Sequence, residues 1–212
     1  MATRLPRIWI VTEPNHPSGP IEPVRQALAV RECESVGVQL RAKQQSDRQL
    51  LEWGRALRDL TADRGAAFFV NGRPDIARLL DADGVHLGER DLPVDRVVGL
   101  EPRPRWVGVS RHDRLGLLAA EAARADFAFL SPVFAVPQKN PPLGVEGFAR
   151  TVAGISMPVV ALGGIGSESV APLVQRGAHG VAVQRAIYEA ADPAASLRQL
   201  LDALDNPPTR VG

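Results

Sequence analysis

Pro158-Val159-Val160-Ala161-Leu162-Gly163-Gly164-Ile165, followed by Gly177-Ala178-His179-Gly180-Val181-Ala182-Val183-Gln184-Arg185-Ala186-Ile187, decides the fold of this 212-residue chain. The first run is a short apolar strand that ends in two glycines and leads into a helical pattern. The second run repeats the plan, with a strand at 180–183 and a new helical start. Two neighbouring strand-to-helix junctions expose unpaired backbone N–H groups, and the helix dipoles add to their pull on an anion. In a (β/α)8 barrel the loops after the seventh and eighth strands commonly form such a phosphate seat.

The rest of the chain continues this alternation. Strands are predicted at 8–12, 36–41, 66–70, 84–87, 106–110, 127–131, 159–162 and 180–183. Helices are predicted at 21–35, 46–64, 74–80, 94–100, 114–123, 145–154 and 167–176, with a final helical stretch to about 204. Strands separated by helices imply parallel pairing through crossover connections. Closure into one (β/α)8 barrel spanning 1–205 is the simplest solution, with 206–212 as a flexible tail; an open doubly wound sheet is the competing arrangement.

Bulk composition narrows the function classes. Hydrophobic residues make up 45% of the chain, enough for a large core. Basic and acidic residues number 25 and 24, so no general attraction to nucleic acid or a membrane surface is expected. The single cysteine, Cys33, excludes an internal disulfide and a thiolate metal cluster, and is expected to be a buried apolar group within the first helix. With no signal-like start and no membrane-length apolar run, a cytoplasmic protein is expected. Homo-oligomers stay open.

Chemistry in a barrel gathers where strands end. Gln39, Arg41 and Lys43 alternate onto one side after the second strand and suit a phosphate or pyrophosphate. Asn71-Gly72-Arg73 follows the third strand. His86-Leu87-Gly88-Glu89-Arg90-Asp91 runs out of the fourth; His86 suits a satisfied interior position, Asp91 a helix N-cap, and Glu89 and Asp91 offer oxygen ligands for a hard cation such as magnesium. Ser110-Arg111-His112 ends the fifth, and Lys139 follows the sixth. The proline-stiffened loops 13–20 and 132–144, with three and four prolines respectively, are expected to cover a substrate.

These segments, in this order, resemble the thiamine phosphate synthase superfamily. The resemblance rests on Asn71-Gly72-Arg73-Pro74-Asp75-Ile76-Ala77, Ala82-Asp83-Gly84-Val85-His86-Leu87-Gly88, Gly108-Val109-Ser110-Arg111-His112, Ser131-Pro132-Val133-Phe134 and Pro141-Pro142-Leu143-Gly144, together with the opening stretch. It runs from about residue 8 to 193 and implies a (β/α)8 fold with one of two activities. The synthase joins a pyrimidine diphosphate to a thiazole phosphate and releases pyrophosphate with magnesium. It would use Gln39, Arg41, Lys43, Asn71, Ser110 and Lys139 on the substrate, with Asp91 on the metal. The thiazole tautomerase needs no cofactor and moves a proton with a histidine matching His112. Both would seat the thiazole phosphate near Gly144, Gly163, Gly164, Val183 and Gln184.

Two departures favour the tautomerase-like isomerase. Gly72 stands where the synthase has a second metal-binding aspartate, and Val136-Pro137-Gln138 replaces a threonine-rich run. Glycine offers no ligand atom, so restoring aspartate at 72 is expected to raise magnesium-dependent turnover. A non-catalytic binder of the same phosphate is a third reading.

Overall fold

The structure, a computed structural model, describes residues 4–30, 33–137 and 141–205. Eight parallel strands close into a barrel in sequence order: β1 (Ile8–Val11), β2 (Val36–Leu40), β3 (Ala67–Asn71), β4 (Gly84–Leu87), β5 (Trp106–Arg111), β6 (Phe127–Leu130), β7 (Val159–Leu162) and β8 (Gly180–Val183). The helices are α1 (Glu22–Ala27), α2 (Asp47–Arg64), α3 (Pro74–Leu79), α4 (Val94–Val98), α5 (Arg114–Ala122), α6 (Gly144–Val152), α7 (Ser167–Gln175), α8 (Arg185–Tyr188) and α9 (Pro193–Asp205). Closure pairs β1 with β8, Trp9 opposite Ala182, and excludes the open sheet.

Period-two alternation divides the strand side chains between two cores. Outward residues such as Ile8, Val38, Val85 and Val181 pack under the helices. Inward residues fill the barrel with an aromatic cluster of Trp9, Phe69, Phe127 and Phe129. Trp9 lies 4.5 Å from Phe69 and 4.9 Å from Phe127, centroid to centroid. Glycines on neighbouring strands make the room: a Cβ on Gly108 would lie 2.1 Å from the Phe127 ring, and one on Gly84 2.5 Å from Phe69. Each buried ring contributes roughly 1.5–3 kcal/mol. Above this plug the inward positions become polar, with Gln39 on β2, Asn71 on β3, His86 on β4 and Ser110 on β5.

The first helix is much shorter than its predicted span. It stops at Ala27, and Cys33 lies in coil beyond it. Leu28 and Val30 are both buried, yet on a continued helix they would sit about 200° apart, so both cannot face one core. Cys33 is buried as expected, and burial pushes its thiol pKa up. The final stretch divides into α8 and α9, with Asp192 Oδ1 accepting the Ala195 amide at 2.9 Å to start the second. Residues 206–212, expected to form a tail, lie outside the described residues. Among the described residues no helix is long and apolar enough to cross a membrane.

Candidate active site

A cavity of about 810 Å³ opens at the C-terminal ends of the strands, the face where barrel enzymes build their sites. Gln39, Arg41, Lys43, Asn71, Ser110 and His112 line one wall, and Gly163, Gly164, Val183 and Gln184 line the opposite one. Lys139 lies outside the described residues.

Alternation along β2 and past its end brings Gln39, Arg41 and Lys43 to one side, as their spacing predicts. Gln39 is 2% exposed, and its Nε2 has no hydrogen-bond partner among the described residues. A buried amide donor without an acceptor is costly, so it stands ready for a ligand. Arg41 is anchored by its backbone amide, which donates to Thr12 Oγ1 at 2.9 Å. Asn71 Nδ2 donates to the His86 carbonyl at 3.0 Å, tying β3 to β4 at the rim.

His112 follows β5 and precedes α5, whose N-cap Asp113 accepts the Gly116 amide at 2.7 Å. That cap fixes the chain direction just after the histidine. His112 Nδ1 donates to the Ser131 carbonyl at 2.5 Å, because a carbonyl only accepts. Nε2 is therefore the nitrogen left for a ligand, 4.0 Å from Glu89 Oε1. Ser131 was not anticipated as a partner; its backbone role leaves no side-chain signal in the sequence.

His86 is interior, as its position in β4 suggests, but only half satisfied: Nε2 lies 2.9 Å from Ser110 Oγ while Nδ1 is unpartnered among the described residues. Burial, with Arg111 and Arg41 nearby, pushes its pKa down to about 3.

The opposite wall is made of main chain. Gly163 and Gly164 take φ of +105° and +64°, which turns the chain sharply after β7. A Cβ on Gly163 would press to 3.0 Å from Pro132 Cα. The turn delivers the chain to α7, and the β8 end delivers it to α8, so both helix starts border the cavity. Gln184 turns its side chain away, donating from Nε2 to the Thr12 carbonyl at 3.1 Å. Arg185 lines the mouth with Glu168 and Glu189. The two glutamates were missed; Glu168 was recognisable from its place in the first turn of a helix behind the glycine pair.

Several expectations need correction. Gly144 does not line the cavity; it starts α6 and its amide donates to the Val133 carbonyl at 2.8 Å. Loop 13–20 does not line the cavity either: Tyr188 Oη donates to the Pro20 carbonyl at 2.7 Å and holds it against α8. Loop 132–144 contributes Pro132 and Val136, with residues 138–140 outside the described set. Asp91 does not cap α4, whose N-cap is Pro93; its Oδ2 accepts the Gly88 amide at 2.6 Å.

Asp91 also packs against the bare face of Gly72. A Cβ on Gly72 would lie 2.9 Å from Asp91 Oδ2, and Gly72 has φ +73°. Aspartate at 72 thus meets an occupied space and a like charge, so a simple gain of turnover is no longer expected. Among the described residues no group of three or more His, Cys, Asp or Glu is placed to hold a metal. Asp91 lies beside Gly72, and Glu89 lines the cavity two residues away. Such a donor set fits magnesium in the mode where substrate phosphates and water supply the other ligands.

Comparison with known proteins adds to this geometry. The family model described as thiamine monophosphate synthase matches residues 9–187. A thiamine-phosphate synthase of Moorella thermoacetica is 38% identical over 187 residues, covering 87% of this chain and 88% of that one. A putative thiamine-phosphate synthase of Geobacter sulfurreducens is 40% identical over 210 residues, 96% of each. The solved thiamine phosphate pyrophosphorylase from Pyrococcus furiosus superposes with TM-score 0.85 at 30% identity over 97% of both chains. These relatives overturn the expected isomerase branch. That expectation set two departures, Gly72 and the missing threonine-rich run, above the cations that are present.

Proposed function

The chain belongs to the thiamine monophosphate synthase family, and on that footing we propose that it joins a pyrimidine diphosphate to a thiazole phosphate. The bond from the pyrimidine methylene carbon to the diphosphate oxygen breaks and pyrophosphate departs with the electron pair. The thiazole nitrogen then supplies the pair for the new C–N bond.

One observation supports the reading: Arg41 and Lys43 line the cavity on the β2 side, and the Gly163-Gly164 turn and the start of α8 line it on the β7–β8 side. A transferase that brings together two phosphorylated substrates needs both, held so that carbon and nitrogen meet between them. Arg41 and Lys43 balance the charge that builds on pyrophosphate, and Gln39 Nε2 offers its unpartnered N–H to the same substrate. The amides at Gly163, Gly164 and the α8 start hold the thiazole phosphate. Apolar Val11, Phe129, Leu162 and Ala182 lie between and limit water access to a cationic intermediate. Magnesium, held by Asp91 and by the pyrophosphate itself, would neutralise leaving-group charge.

The test is a mixture of pyrimidine diphosphate, thiazole phosphate and magnesium, followed for thiamine phosphate. Product formation that a chelator abolishes is expected. Absence of product at saturating substrates, with both ligands shown to bind, overturns the reading.

A further inference from the structure

His86 stands one layer below the cavity floor, 1% exposed, with its ring 4.2 Å from Phe129 and 5.6 Å from Phe127. Its single side-chain hydrogen bond runs from Nε2 to Ser110 Oγ, 2.9 Å away, and Ser110 lines the cavity. Nδ1 has no partner among the described residues.

A neutral imidazole carries one N–H and one lone pair. A proton on Nδ1 would strand a buried donor among aromatic rings. A proton on Nε2 is donated to Ser110 Oγ, and only a lone pair is left bare. Buried orphan N–H groups are the rarer of the two, so the Nε2–H tautomer is the one this pocket selects. A serine oxygen that accepts from below keeps its own O–H for what lies above.

We infer that His86 is a positioning residue whose Nε2–H fixes the Ser110 hydroxyl as a hydrogen-bond donor into the cavity, toward a phosphate oxygen of the substrate. The inference rests on the transferase reading for the identity of that anion. A hydroxyl free to rotate must reorganise as charge develops, whereas one oriented in advance does not. Burial and the Arg111 and Arg41 charges keep the imidazole neutral, so no second N–H appears on the side that has no acceptor.

The decisive experiment is a double-mutant cycle with a spectroscopic control. His86→Leu should lower kcat about 30-fold while the thiazole phosphate KM stays within about 3-fold. His86→Gln, which keeps an N–H able to reach the same oxygen, should recover to within about 5-fold of the parent. In a Ser110→Ala background, His86→Leu should cost less than about 2-fold more. Nitrogen-15 spectra of the unmodified protein should show a protonated Nε2 and a bare Nδ1, unchanged from about pH 5 to about pH 8. A proton on Nδ1, or an equal His86→Leu penalty in both backgrounds, overturns the inference. If His86→Leu fails to fold, as a melting curve would reveal, the Gln variant and the spectrum decide. Absence of turnover in the unmodified protein defeats the transferase reading, and the tautomer is still read independently.

Discussion

The two walls of the cavity present hydrogen-bond donors by different means. The β7–β8 wall uses the backbone, with glycines that turn the chain and helix starts that present amides. The β2–β5 wall uses side chains, with Gln39, Arg41, Lys43, Asn71 and His112 reaching in from strand ends. Backbone amides do not titrate and present the same donors whatever side chain the residue carries. A side-chain wall sets chemistry and is sensitive to single atoms. A seat for a phosphate is therefore the shared part of this cavity, and the side-chain wall decides which reaction runs there.

This contrast can be broken most sharply at Arg41. Arg41→Ala should reduce kcat roughly 10²–10³-fold with little effect on thiazole phosphate affinity; equal losses in both would merge the two walls into one. Acid should act on the side-chain wall next. His86 has a folded pKa of about 3, below its ordinary value, so the unfolded chain takes up the proton more readily. That contribution to stability is complete above about pH 6.5 and is lost as pH falls toward 3, reaching about 3 kcal/mol by about pH 4.5. Denaturant melts of the parent and His86→Gln should lie close at neutral pH, where both keep the bond to Ser110, and separate in acid, where only the parent loses stability.

On the amide wall, Gly163→Ala forces a Cβ to 3.0 Å from Pro132 Cα at φ +105°. It should raise the thiazole phosphate KM about 10-fold and cost about 2 kcal/mol of stability, with pyrophosphate affinity unmoved. Gly72→Asp should cost about 1–2 kcal/mol without metal, through its positive φ and the nearby Asp91. Magnesium should then raise the variant's melting temperature more than the parent's; equal shifts would mean that position 72 is not beside the metal. Smallest is Arg185→Ala, at the exposed mouth, with a change of about 3-fold in thiazole phosphate KM that fades at high salt.

Much of this was legible beforehand because it depends on local rules. The alternation of Gln39, Arg41 and Lys43 survived past the end of β2 because extended chain keeps its two-residue period. The Gly163-Gly164 turn was visible because few residues adopt that backbone. Helix α1 was overextended because an apolar pattern does not reveal that Leu28 and Val30 must both turn inward. The isomerase expectation leaned on Gly72 and the missing threonine-rich run, and the relatives overturned it; the contact of Asp91 with Gly72 joins two loops and is not visible in the sequence.

The sequence by itself determined the alternation of strands and helices, the rim that carries the polar groups, and the two glycine-bounded seats, since each follows from periodicity or backbone freedom within a few residues. Only the tertiary structure decided which groups meet across the barrel. The His112 bond to the Ser131 carbonyl, the aromatic plug seated on glycines of neighbouring strands, and the Asp91–Gly72 contact join residues distant in the chain. Barrel closure and strand register set those distances, and they are properties of the whole sheet rather than of any one segment.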